Sequence, residues 1–156
     1  MSVTFEKNYD MGILAKGLAD VKPVLDDMIL VGRDQIISNT KAGLDCNDEE
    51  FEEYAGRTKK MKTKYGKSPS LVNLEHGKDS KGKATSGNMM TSIATKITGN
   101  LAETYFIDAN KGLLAYYHQT GQDNLPIRAF MGWTKKADKM INKIYNKFLD
   151  KLLRKI

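Results

Sequence analysis

Cys46, His76 and His118 are the chain's entire supply of thiol and imidazole groups, so nucleophilic chemistry would have to be assembled from them. A thiol nucleophile needs an imidazole within hydrogen-bond reach of its sulfur. Neither histidine is near Cys46 in sequence, so the fold would have to bring a pair such as Cys46 and His118 together. Without that partner Cys46 reads as a half-buried structural residue, and a single cysteine excludes an internal disulfide or a cysteine-built zinc cage. Asp45-Cys46-Asn47-Asp48 opens like a calcium loop. Glu50, however, stands where that loop needs glycine, and Gly56 where it needs a bidentate glutamate. The carboxylates of Glu49, Glu50, Glu52 and Glu53 then read as a solvated face. Neither phosphate-cradling pattern, GxxxxGK(S/T) or GxGxxG, occurs. The expectation is a chain that is not an enzyme, with no catalytic residue, no metal ligand and no cofactor.

Charge is more informative. Immediately after the acidic cluster come Arg57, Lys59, Lys60, Lys62, Lys64 and Lys67, with no carboxylate among them and Tyr65 inside the run. Such a run can touch nucleic acid, remain a solvated loop, or meet the acidic face of another copy. The net charge of +6 is unevenly spread over the chain. Residues 1–56 hold 5 basic and 12 acidic side chains, 57–86 hold 9 and 2, 87–133 hold 3 and 3, and 134–156 hold 8 and 2. A polarised chain allows head-to-tail contact between identical copies as readily as it allows nucleic-acid binding.

These residues must be positioned by a single domain, 1–156, of which 40% is apolar. No stretch approaches the roughly 20 apolar residues that span a bilayer. Glu6, Lys7 and Asp10 interrupt the first ten residues, so no signal peptide is read there and a reducing cytoplasm fits best. A short helical turn is expected at 11–18, weakened by Gly12 and Gly17. A long helix follows over 21–40, with Asp20 as N-cap, Pro23 in its first turn and Gly43 at its end. Its apolar face runs through Val24, Met28, Val31 and Ile36, widened by Leu25, Ile29 and Ile37. Residues 57–86 read as a long, partly mobile basic loop, with a short helical piece at 59–64.

Order resumes with a turn at 86–92, strands at 93–98 and 101–107, and Gly99-Asn100 as the hairpin turn. Asp108 or Asn110 caps a helix over 111–119, stopped near Gly121. Residues 125–131 are extended around Pro126. Trp133 reads as a hydrophobic plug at the hinge before the last helix. Thr134 caps that helix, whose apolar stripe includes Ala137, Met140, Ile141, Ile144, Tyr145, Phe148, Leu149, Leu152 and Leu153, with lysines opposite. The fold class is α+β: a small antiparallel sheet packed against a long N-terminal helix and a long amphipathic C-terminal helix.

Three motifs carry a family likeness. Ser86-Gly87-Asn88-Met89-Met90-Thr91-Ser92-Ile93, then Ala115-Tyr116-Tyr117-His118-Gln119-Thr120-Gly121, then Pro126-Ile127-Arg128-Ala129-Phe130-Met131-Gly132 follow Phe51, Tyr54, Lys64 and Leu74 in order. This resembles the tailed-phage virion-morphogenesis, or tail-completion, family over roughly residues 43–134. That family shows a TG-x-M/L-x-x-S-I turn, a YA-x-x-HQ-x-G helix and an IP-x-RPF-x-G segment. Here Ser86 replaces the threonine, Asn88-Met89-Met90 lacks the common arginine, and Ala129 replaces the proline.

The resemblance implies a structural protein of the virion neck, in a ring of identical subunits, commonly six. The ring would join the tail to the head–tail connector or adaptor and meet tail-tube or tail-terminator proteins. Genome DNA would pass through the lumen without specific recognition, and no membrane would be involved. Contacts with a neighbouring copy or ring are expected at Arg57, Lys59, Lys60, Lys62 and Lys64, and around His118, Gln119, Arg128 and Phe130, since arginine and phenylalanine are good interface anchors. Arg128 and Phe130 could equally pack this chain's own helix. The alternative is a small basic nucleic-acid-binding protein using Arg57 to Lys67. A third reading is a hydrolytic enzyme working through His118.

Overall fold

A computed structural model describes residues 11–64, 74, 89–122 and 125–155. Its elements are α1 (Met11–Ala19), α2 (Lys22–Ala42), α3 (Gly56–Lys64), a 3-10 turn (Met89–Ser92), β1 (Ile93–Thr98), β2 (Leu101–Phe106), α4 (Ala109–Thr120) and α5 (Lys135–Leu153). The architecture is α+β, with one two-stranded antiparallel sheet among the described residues.

Local chemistry accounts for most of the boundaries. Gly43 adopts φ 83°, and its N–H and that of Leu44 return to the carbonyls of Thr40 and Asn39, closing α2 with a left-handed cap. At α4 the Asp108 carboxylate accepts from the N–H groups of Asn110 (2.8 Å) and Lys111 (3.2 Å), and Gly121 ends the helix at φ 72°. Thr134 caps α5 by accepting from the Ala137 N–H at 3.1 Å. The start of α2 differs from expectation. Asp20 is not its cap: the Asp20 N–H closes α1 on the Lys16 carbonyl, and Val21, with no side-chain cap, leads into Pro23. Proline in the first turn leaves fewer N–H groups to satisfy, so the missing cap is tolerated.

The hairpin has the expected two-residue turn, with Thr98 paired to Leu101 and Ile93 to Phe106. Residues paired across the ladder share a face. The face carrying Ile93, Ala102, Thr104 and Phe106 is the more buried one; Lys96, Glu103, Leu101 and Tyr105 lie on the other. Helix α2 touches both strands and α5, while α4 touches β2 and the 3-10 turn.

The main core gathers Ile36, Phe51, Leu74, Met89, Met90, Ile93, Ala115 and Phe130. Along α2 the buried positions are Val24, Ile29, Gly32, Ile36, Asn39 and Thr40, a face rotated from the one read through Met28 and Val31. Hydropathy alone misses it because three of the six are not strongly apolar. Gly32 is required there by Trp133: a Cβ would lie 2.5 Å from the indole Nε1. Trp133 thus lies against α2, as a hinge plug should, yet it remains 44% exposed. The stripe on α5 is wider than its neighbours cover. Ala137, Ile141 and Leu152 are buried, whereas Met140, Tyr145 and Leu153 face solvent.

The basic loop also needs correction. Residues 56–64 are the helix α3, longer than the piece expected, so the first part of the 57–86 segment is regular structure. Leu74 is buried in the core; the rest of that segment, with His76 and Lys67, lies outside the described residues.

Candidate functional site

The loop after α2 shows what replaces a calcium site. Asp45 Oδ1 accepts from the N–H groups of Asn47 (2.7 Å) and Glu49 (2.9 Å), and the Asn39 amide donates to Asp48 Oδ1 at 2.8 Å. The carboxylates are engaged in turning the chain, and Asp48 takes φ 65°, a conformation aspartate tolerates. Cys46 lies against Gly132, and its N–H donates to the Ala129 carbonyl. Burial first, and Asp45 second, push its thiol above the usual cysteine range. A thiol harder to ionise is the reverse of an activated nucleophile. Among the described residues no cluster of three or more His, Cys, Asp or Glu side chains is placed to hold a metal ion.

The chemically distinctive feature is a cavity of about 280 Å³ enclosed by α3, α4 and the 125–128 segment. Its apolar walls are Ala55, Leu74, Leu114, Leu125 and Pro126; its polar ones are Tyr54, Thr58, Lys62, His118 and Arg128. Arg128 is 2% exposed and Lys62 8%, which is unusual for either residue type.

Their burial is compensated by specific partners. Arg128 Nη2 donates to the Glu52 carbonyl at 3.0 Å, Nη1 lies 3.4 Å from His118 Nδ1, and the guanidinium sits 5.3 Å from the centre of the Tyr54 ring. The Lys62 ammonium lies 4.2 Å from that same centre. One tyrosine ring therefore faces two cations, each attracted by the negative potential of the π cloud. Arginine has only donors, so in the contact with Arg128 it is His118 Nδ1 that accepts. Burial pulls the Arg128 pKa below the usual arginine range, with Tyr54 and Glu52 acting against it.

Of the nine side chains singled out from sequence, Lys62, His118 and Arg128 meet at this cavity. Gln119 and Phe130 support it. The Gln119 side-chain oxygen accepts the Met131 N–H at 3.0 Å, the Arg128 N–H donates to the His118 carbonyl at 2.7 Å, and Phe130 is core. Arg128 and Phe130 thus pack this chain's own elements. The others are elsewhere: Lys59 pairs with Glu53, and Arg57, Lys60 and Lys64 are exposed on α3. Tyr54, Thr58, Leu114, Leu125 and Pro126 complete the site without having been marked as its parts. The available signals for Tyr54 were an aromatic a few residues before a basic run and its place in the residue order that carries the family likeness.

Two surfaces complete the inventory. Outward on the hairpin, Lys96 and Glu103 form a 3.1 Å cross-strand ion pair between the exposed Leu101 and Tyr105. On α5, Lys135, Lys139, Lys143, Lys147 and Lys151 recur every fourth residue, all exposed. No described helix is long and apolar enough to cross a membrane. No protein-family model matches the chain, and no curated protein or solved structure matches it.

Proposed function

We propose that this chain is a structural subunit of a phage neck, closing with identical copies into a ring that joins the tail to the head–tail connector. The observation that carries the reading is how the three motif segments pack. Met89 and Met90 from the turn, Ala115 from α4 and Phe130 from the last segment enter one core. The backbone bond from Arg128 to His118 and the side-chain bond from Gln119 to Met131 tie the second motif to the third. Residues that define the resemblance therefore build a scaffold and leave the assembly contacts to surfaces around it.

Those surfaces suit heterologous contact. Asp48 lies beside Lys135, Lys136 and Lys139 of the same chain, so the charges left for a neighbouring copy are the exposed carboxylates of Glu49, Glu50, Glu52 and Glu53 and the lysines farther along α5, which have opposite sign. Exposed Leu101 and Tyr105 on the hairpin, and Leu113 and Tyr116 one helical turn apart on α4, offer apolar contact. Measuring the mass of the purified chain alone, with connector and with tail tubes tests the proposal. A closed multimer in any of these mixtures is the expected result; a chain that stays monomeric in all of them would remove the ring.

The nucleic-acid reading rests on the Arg57 to Lys67 run, of which Arg57, Lys60 and Lys64 are exposed on α3, and the regular lysine ladder on α5 is a second basic surface in its favour. If that ladder contacts phosphates, binding to short duplex DNA should weaken steeply with salt, by a log–log slope of about −0.9 per phosphate neutralised.

A further inference from the structure

The hairpin register fixes which outward side chains stand beside one another. Thr98 opposes Leu101, Lys96 opposes Glu103 and Ala94 opposes Tyr105. The Ile107 N–H donates to the Ser92 carbonyl at 2.9 Å, which carries the same register one rung further. Every rung is unequal. On the β2 side the large apolar residues Leu101, Tyr105 and Ile107 are 57%, 43% and 70% exposed, and across from them stand the small residues Thr98, Ala94 and Ser92. The remaining rung is the 3.1 Å ion pair of Lys96 with Glu103. Ile93 and Phe106 turn the other way, toward the core that holds Ile36 of α2.

A row of large apolar side chains left in water marks a contact surface, and the unequal rungs say what fits it. Two sheets stack about 10 Å apart with their strands within about 30° of each other. A second copy laid on this face by a two-fold axis running along the strands places its β2 over β1 and its β1 over β2. Tyr105 then meets the second copy's Ala94, Leu101 meets its Thr98, and Lys96 meets its Glu103, so the four charges alternate in sign. An axis across the strands would set Lys96 over Lys96, Glu103 over Glu103 and Tyr105 over Leu101. Like charges would repel and large side chains would collide while small ones left gaps. Size and charge select the same axis.

We propose that the outward face of the hairpin binds the same face of a second copy of this chain, about a two-fold axis parallel to the strands. Four rungs on two strands offer less than the roughly 800 Å² per partner of a standard interface, so the pairing is weak and reversible. This goes beyond the ring reading and does not rest on it. A self-complementary contact stops at two copies, or at two rings face to face, whereas ring closure needs two different patches. The hairpin's part of the apolar surface is thereby assigned to the two-fold contact, and α4 and the charged surfaces are left for the ring.

The test is the mass of the full chain over a concentration series reaching about 1 mM. A doubling, of monomer or of ring, is the expected result. Lys96→Glu and Glu103→Lys each set like charges against one another across the interface. The ion pair they disrupt within the chain is exposed, so both variants should fold. Each alone should double at least about tenfold more weakly than the parent chain. An equimolar mixture of the two should recover the doubling, because one variant brings two acidic side chains to this rung and the other two basic ones. No doubling up to the highest concentration, doubling unchanged in both variants, or a mixture that associates no better than either variant alone would overturn the assignment.

Discussion

Two groups of cations in this molecule share a charge and little else. Arg128 and Lys62 are buried against one tyrosine ring, with Arg128 also bonded to a carbonyl 76 positions away in sequence. The lysines of α5 stand in water along one side of a helix, one turn apart. The first group is part of how the chain folds, because each buried charge must be matched locally or it disfavours the folded state. The second leaves stability almost untouched, since exposed charges interact weakly across water and salt. Substitutions at the buried site should therefore be read in unfolding experiments, and those on α5 in association experiments. A basic residue's role here follows from its burial, not from its membership of a basic run.

The sharpest way to break this contrast is at the core beneath the buried pair. Phe130→Ala should destabilise the chain by about 3–5 kcal/mol, read as a lower denaturation midpoint, because a fully buried ring is lost and a cavity remains. Arg128→Met should follow at about 1.5–3 kcal/mol, leaving the Glu52 carbonyl without its charged donor. A neutral result for Arg128→Met would mean that this guanidinium is held without benefit, and the contrast with α5 would weaken. Thr134→Ala, which removes the buried cap of α5, should lower stability by about 1 kcal/mol and fray the first turn in hydrogen exchange.

The opposite arm predicts small effects on folding. Lys139→Glu with Lys143→Glu should change unfolding stability by no more than about 0.5 kcal/mol; under the proposed ring reading, the same pair of changes should abolish closure or docking as measured by particle mass. The smallest effect expected is at the exposed Glu53–Lys59 pair. The hydrogen bond from Lys59, and then its charge, hold the Glu53 carboxyl below the usual glutamate range. A carboxylate whose folded pKa is depressed adds stability above its unfolded value and loses it as pH falls through the folded one. Lys59→Met should therefore return the Glu53 carboxyl resonance to an ordinary titration and slightly flatten the acid limb of stability. Exposure keeps the change slight.

Much of the fold was legible because its signals are local. Gly43, Gly121, Asp108 and Thr134 mark helix ends through bonds made within a few residues, and Gly99-Asn100 sets the hairpin register. Asp20 misled for the same local reason: aspartate is a good cap in general, but here its backbone was already used to end α1. The rotated face of α2 was hidden because Asn39 is buried to hold the 45–48 turn and Gly32 to admit an indole. Neither role registers as hydropathy. At the cavity, Lys62, His118 and Arg128 were visible as residues of interest, but nothing in their spacing indicated that they share one space or that Lys62 and Arg128 share one ring.

From the amino-acid order alone came the class of fold, the helix stops, the hairpin and the partition of charge along the chain. Each depends on backbone preferences and capping that act over a few positions. Tertiary packing alone decided which cations are buried. Burial is set by what arrives from distant segments: Tyr54 from before α3, His118 from α4 and the Glu52 carbonyl from beyond the hairpin. A lysine on α3 and a lysine on α5 look alike in sequence, and it is the tertiary fold, which sets Lys62 against a tyrosine ring, that makes one of them interior.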